Sequence, residues 1–340
     1  MAGQVWAIAD EGGYMWAPNL SEYMRLQNQT VVKFRQFADV LDNDADGRPL
    51  LGKHRGDTWA WNVYSNLSTT GRQLDETERM PTSGFKVAQY SAKLAEYGNS
   101  VEYTGKLDDM SEQPIKNIIN KLLKLDTAKT FDIAAWAQFN STLLKISPSA
   151  GSSTTVLDTL AVNGTPSQAI TVSFRKTHVE PITTLMKERG IPAYDNGDYY
   201  AIGRPIAFSA LKTDIEGVHI YTETGLAQIK NGEIGRYRGV RFVEQTNIPQ
   251  GGAADSVTFN PQTNTADAWN GATAAGFADW IFFMGADTVS EGVAIPEELR
   301  GQIPGDFGRE RAIAWYALEG FALSHPDALN GRILKWDSTV

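Results

Sequence analysis

The stretch "DNDADG" places Asp42, Asp44, Asp46 and Gly47 at the spacing of the first half of a calcium-binding loop, where alternating carboxylates ring a cation. The twelfth position of such a loop needs a bidentate glutamate, but here it is Lys53, and Pro49 lies inside the segment. It therefore reads as an acidic turn. Gly232, Gly235 and Gly239 in "NGEIGRYRGVRFVEQTNIP" follow G-x-x-G-x-x-x-G, not the dinucleotide fingerprint, and no Gly-Lys-Ser/Thr sequence occurs anywhere. These glycines are expected to supply positive backbone angles where a turn enters a strand. Ser173 and Lys176 have the S-x-x-K spacing of serine acyl-transfer enzymes, but the companion SDN and KTG sequences are missing, so Ser173 is expected to cap a helix. His54, His178, His219 and His325 are too scattered for a metal-hydrolase pair. With no cysteine, thiolate nucleophiles, disulfides and cysteine-bound zinc are all excluded. The acidic residues single out no glycosidase-type pair. The sequence thus names no catalytic, metal or cofactor-binding residue and implies no cofactor.

The 340 residues suffice for one large domain or two moderate ones, and 42% hydrophobic with 21% charged residues is ordinary for a globular chain. Lysine and arginine number 31 against 40 acidic residues, a formal charge of -9, which argues against a DNA-coating role. The N-terminus lacks the pattern of a secretory signal, and no apolar stretch is long enough to cross a bilayer. Nine tryptophans are spread along the chain and are expected to fill cores and interfaces.

Residues 1–50 read as an extended arm, with "QTVVKFRQFADVL" as its ordered piece. In "DTWAWNVYSNLST" the period-two placement of Trp59, Trp61, Val63 and Leu67 predicts a strand. A second β-rich run, "FKVAQYSAKLAEYGNSVEYTG", follows the polar "TGRQLDETERMPTSG", so the two form a long hairpin with a charged tip. The spacing of Ile115, Ile118, Leu122, Leu125, Ala128, Phe131, Ala135 and Phe139 predicts a long helix over about 111–142, with Ser111 as its N-cap. After a Ser/Thr/Gly-rich connection at 147–168, residues 174–192 read as a helix ended by Gly190 and Pro192. "YYAIGRPIAFSAL" reads as a strand entering a helical piece, "GVRFVEQTNI" and "ADWIFFMGADTVSEGVA" as strands, and "RERAIAWYALEGFALSH" as a helix or a long strand. Residues 249–276 read as loop, and "GRILKWD" as a final strand. The class is α+β, with helices and strands segregated.

An arm, a long hairpin and an isolated long helix expose backbone and apolar surface that only neighbours can cover, which points to an assembly. This order resembles the major capsid proteins of tailed bacteriophages with the HK97-like fold. The segments "LDETERMPTSGFKVAQYSAKLAEYGNSVEYTGKLDDMSE", "GEIGRYRGVRFVEQTNIP", "ADWIFFMGADTVSEGV" and "AIAWYALEGFAL" are similar to the coat family typified by coliphage N-four. The resemblance covers about residues 50–325. It implies an N-terminal arm at 1–50, an extended loop at 51–106, a peripheral domain at 107–190 and 305–340 built on the long helix, and an axial domain at 191–304. It also implies a non-enzymatic coat protein that assembles in the host cytoplasm into hexamers and pentamers of a virion shell, enclosing DNA without binding it specifically. Portal and scaffolding proteins, and a cement or decoration protein, would be its partners, with no membrane involved. At the hairpin tip Leu74 and Met80 are expected to anchor on an adjacent subunit, oriented by Arg72, Asp75, Glu76, Glu78 and Arg79. Arg236, Arg238 and Arg241 are expected to meet carboxylates of a neighbour, while Ile234, Val240, Phe242 and Val243 pack. The alternatives are a carbohydrate-active enzyme or binding module, suggested by the aromatic content, and another phage component such as a tail or decoration protein.

Overall fold

The computed structural model describes residues 32–41, 56–68, 70–76, 79–112, 114–148, 157–161, 173–194, 197–219, 235–246 and 278–339. The calcium-loop-like segment, Glu78, Ile234 and the loop at 249–276 lie outside the described residues. Strands β1 (Ala38–Leu41), β2 (Thr58–Tyr64), β3 (Val87–Lys93) and β4 (Ala95–Thr104) precede helices α1 (Gly105–Met110) and α2 (Ile115–Asn140). Next come β5 (Leu144–Pro148), β6 (Leu157–Ala161), α3 (Lys176–Glu188), β7 (Tyr199–Gly203) and α4 (Ser209–His219). The chain continues with β8 (Arg236–Tyr237), β9 (Val240–Glu244), β10 (Ala278–Met284), β11 (Val289–Gly301), β12 (Glu310–Leu323) and β13 (Ile333–Thr339). The segment left open between helix and strand is β12, and the connection read as loop at 147–168 contains β6, which pairs antiparallel with β5.

Three sheets result. One runs β1-β11-β12-β4, the second β6-β5-β13-β10-β7-β9-β8, and the third is the β2-β3 hairpin. In the seven-stranded sheet, successive residues of β10 face two different cores, as period-two geometry requires of a strand covered on both sides. Ile281 and Phe283 join Val179, Ile182 and Met186 of α3 and Leu211 of α4 in one core. Trp280, Phe282 and Met284 join Ile119, Leu123, Phe131 and Phe139 of α2, with Trp315 of β12, in the other. Helix α2 is therefore sandwiched between the two larger sheets. Each fully buried aromatic on it contributes up to about 3 kcal/mol of apolar burial. The sheets do not follow the segment boundaries read from the sequence: β13 lies in the seven-stranded sheet with β7 and β9, whereas β11 lies beside β4 and β12.

The long helix is real but begins later than expected. Ser111 closes α1, its amide donating to Leu107 O at 3.1 Å, and α2 starts after Pro114, whose carbonyl accepts from Ile118 N at 3.2 Å. A proline just ahead of a helix gives up an amide that would have had no partner. The 26 residues of α2 span about 39 Å. Its buried face is Ile115, Ile119, Leu123, Thr127, Phe131, Asp132, Ala135 and Phe139, and Leu122 is 45% exposed. The stripe is thus turned by one residue at its N-terminal end. Ser173 is likewise not a cap: the α3 N-cap is Arg175, whose backbone amide donates to Nδ1 of His178 at 3.0 Å. Burial, then the nearby Arg175 charge, hold that imidazole down at about 4, so it is neutral and able to accept.

Candidate functional site

Among the described residues, the hairpin is fixed to the rest of the chain at one end. Trp59 is 3% exposed and lies over Gly320, where a Cβ would come within 2.7 Å of the Trp59 ring and 2.6 Å of Lys93 O. Only glycine allows that approach. Trp61 Nε1 donates to Ser324 O at 2.8 Å, and the Tyr90 hydroxyl donates to the Asp327 carboxylate. Burial, and then that bond, push the Tyr90 phenol up to about 12. Trp59, Trp61 and Tyr90 form a continuous aromatic row, with centroid spacings of 6.4 and 6.2 Å.

Beyond this base the same strands continue into solvent. Tyr64, Leu67, Phe85 and Val87 are all exposed, and the Tyr64 and Phe85 rings lie 6.2 Å apart. At the tip Leu74 is 38% and Met80 71% exposed, and Arg72, Asp75, Glu76 and Arg79 are also exposed. The structure brings these tip residues to one end of the hairpin, away from every core cluster of the chain.

The arginine-rich stretch is built differently. Arg238 (φ 53°) and Gly239 (φ 80°) form the turn joining β8 to β9, and Gly235 (φ 72°) leads into β8, so Gly235 and Gly239 have the role read for them, while Gly232 lies outside the described residues. Val240 and Phe242 are buried, as expected. The three arginines, however, find carboxylates within the subunit. Arg236 and Arg241 lie 2.6 and 2.8 Å from the two oxygens of buried Asp198, and Arg238 lies 3.5 Å from Glu180. All three side chains keep an exposed edge. Their first partners are therefore internal, which sequence reading placed on a neighbour.

A second polar centre escaped sequence reading. Phe34 is fully buried, and the chain at Phe34–Arg35 is held by Asp132 of α2, whose Oδ1 accepts from Phe34 N at 2.7 Å and Arg35 N at 3.4 Å. The other carboxylate oxygen accepts from Gln245 Nε2, at the end of β9. One aspartate thus ties the arm-proximal segment, α2 and the seven-stranded sheet together. Arg35 then reaches Glu291 (2.8 Å), Glu297 (3.3 Å) and Glu319 (3.3 Å), with its guanidinium 4.4 Å above the Phe131 ring. Three carboxylates share one cation. Burial of Glu319, reinforced by Glu291 and Glu297 and opposed by Arg35, pushes its carboxyl up to about 8. The available signals were lone acids in apolar runs: Asp132 in "FDIAAWAQF" and Glu319 in "WYALEGFAL". Beside this centre a groove of about 440 Å³ runs between α2 and the β11-β12 pair, lined by Lys124, Ala128, Leu299 and Trp315 among others.

Among the described residues no cluster of three or more His, Asp or Glu could hold a metal, and no helix is long and apolar enough to cross a membrane. The six described tryptophans are buried or half-buried, leaving no flat sugar-stacking platform among them.

No family model and no curated protein sequence matches the chain. Solved structures do match it, over nearly its whole length. The capsid of Ralstonia phage GP4 gives a TM-score of 0.65 at 12% identity, covering 100% of this chain and 98% of that one. The capsid of cyanophage P-SCSP1u gives 0.64 at 11% identity over 95% and 93%, and the mature capsid of bacteriophage PhiM1 gives 0.62 at 13% over 95% and 91%. The chain has the HK97-like phage capsid fold that its sequence resembles.

Proposed function

We propose that this chain is the major capsid protein of a tailed phage, a non-enzymatic coat subunit that forms hexamers and pentamers and closes an icosahedral virion shell around DNA. The observation that carries the proposal is the end-to-end match to capsid chains, 100% of this chain against 98% of the GP4 chain, which leaves little of either sequence for another task. The half-covered hairpin supports it, because a lone soluble protein gains nothing from an apolar ribbon extended into water.

In this reading residues 1–50 are the arm and 51–106 the extended loop. Strands β11 and β12 with α2 make the peripheral part, joined in one sheet by β1 of the arm and β4 of the loop, and the seven-stranded sheet with α3 and α4 makes the axial part. Leu74 and Met80 insert against the adjacent subunit. Arg72, Asp75, Glu76, Glu78 and Arg79 set the register, and the exposed edges of Arg236, Arg238 and Arg241 add contacts to carboxylates across the capsomer. The net charge of -9 suits a wall that repels the DNA it holds. Portal and scaffolding proteins, and a cement protein where the shell needs one, complete the assembly in the host cytoplasm. Electron microscopy of the purified chain tests the proposal. Capsomers or closed shells are expected, and a small monodisperse particle at every concentration would refute it.

A further inference from the structure

The segment Phe34–Leu41 is laid over the body like a strap. A 3-10 turn, Phe34–Phe37, leads into the four residues of β1, which pair in parallel with β11 at the edge of the four-stranded sheet. Phe34 is its buried peg, 5.1 Å from the Phe139 ring and 5.6 Å from the Phe282 ring. Phe37, half-buried, rests on Tyr194 and Tyr200 at 6.2 and 5.0 Å, and Val40 is exposed. A short ladder at a sheet edge can open without unfolding the strands beside it. Between the peg and the ladder, Arg35 stands between solvent and three acids: Glu291 and Glu319, which are buried, and Glu297, which is half-exposed. Glu319 Oε1 is buried with no hydrogen-bond partner. A bare oxygen in that position costs an ionised carboxylate far more than a protonated one, and crowding by like charges favours a retained proton further.

The other groups around the cluster fix the direction of its response. From β4 comes Tyr97, whose phenol is raised by burial and then by Glu319. From α2 come Asp132, already bonded to the Phe34 and Arg35 amides, and Lys124, which lines one groove with Arg35 and Glu297. Farther along the strap, burial and then Asp287 raise the Asp39 carboxyl, opposed by Arg332, and Asp287 is itself paired with Arg332 and His325. At Glu319 burial favours the protonated form and Arg35 the ionised one, and burial is the larger influence. Lifting the strap removes both, so the lifted form holds the proton more weakly, and rising pH favours it. We propose that Glu291, Glu297 and Glu319 form a proton-operated latch on Arg35: with a shared proton the strap is closed, and loss of that proton lifts Arg35–Leu41 off β11, pivoting on Phe34. The sheets and α2 stay folded, while the edge of β11 and the groove beside α2 are uncovered. The latch is a property of the single subunit and stands apart from the shell reading.

Amide hydrogen exchange of the full chain as free subunits, followed from about pH 6 to about pH 9 and corrected for intrinsic rates, tests the latch. Protection of residues 38–41 is expected to fall at least about tenfold across that range, while β10 and β13 keep theirs. Glu319→Gln, which carries no titrating group, is expected to hold residues 38–41 protected throughout. Protection that is independent of pH in the parent overturns the latch. So does a loss that β10 and β13 share, which is general unfolding, or a Glu319→Gln chain that opens as the parent does. Should Glu319→Gln fail to fold, Glu297→Gln decides. Removing one like charge weakens the hold of Glu319 on its proton, so the opening midpoint is expected to move to lower pH by at least about half a unit. A midpoint that stays in place or rises overturns the latch.

Discussion

The two ends of the β2-β3 hairpin carry similar side chains in unlike surroundings. At the base, Trp59, Trp61 and Tyr90 are covered by β12 and the segment after it; at the far end, Tyr64, Leu67, Phe85 and Val87 face water. Tyr64 and Val87, which pair across the ribbon, lie on its opposite face from Trp59, Trp61 and Tyr90, and among the described residues no core cluster covers that face. A fold that keeps an apolar face beyond its own body is complete only in company. On the proposed function the base serves folding and the far end assembly, and substitutions should separate the two.

The largest expected effect on the subunit is at the base and the helix beneath it. Trp59→Ala removes the ring that fills the space above Gly320 and is expected to cost about 3–5 kcal/mol in chemical denaturation. Leu123→Asp, on the buried face of α2, should cost several kcal/mol or prevent soluble expression, whereas Leu122→Asp, one residue earlier and half-exposed, should stay within about 0.5 kcal/mol of the parent. Equal losses from the two leucine variants would contradict the helix face described.

An intermediate effect is expected at Glu319. Its carboxyl titrates near 8 in the folded protein against an ordinary value of 4.5, so between these values the folded chain keeps a proton that the unfolded chain has lost. Stability should therefore fall as pH rises through that window and level off above about 8, by an amount on the order of a few kcal/mol. Glu319→Gln should flatten the profile. A melting temperature that rises across the same range in the parent would show that the cluster is not holding that proton.

The smallest expected effect on the subunit comes at the tip. Leu74→Ser combined with Met80→Ser should leave circular dichroism and the melting temperature nearly unchanged, because neither side chain reaches a core. In the shell each lost anchor costs about 2 kcal/mol or more per contact, and particles should vanish from lysates. Normal yields of shells from this variant would mean the tip is merely solvated.

How far the sequence announced all this varied with the physics involved. The hairpin, α2, α3 and the apolar strand β10 were legible because each has a sustained period and clear breakers. The face of α2 was misread near its start because "IKNIINKLLKL" carries apolar residues on two adjoining rows, and periodicity cannot say which row meets the sheet. Thr127 enters the core by donating to Leu123 O at 2.8 Å, and Asp132 by holding Phe34 N, bonds to the helix backbone and to residues 98 positions away that no local pattern encodes. The internal partners of Arg236 and Arg241 were hidden for the same reason, since Asp198 meets them only once β7 and β9 pair in parallel.

Backbone amide exchange along the hairpin, compared between dissociated subunits and assembled particles, tests the division between base and far end most directly. The ladder at residues 58–62 and 89–93 is expected to exchange slowly in both states, while residues 65–86 exchange fast in the free subunit and become protected in particles. Residues 65–86 exchanging as fast in particles as in free subunits would contradict the claim that a neighbouring copy completes this part of the molecule.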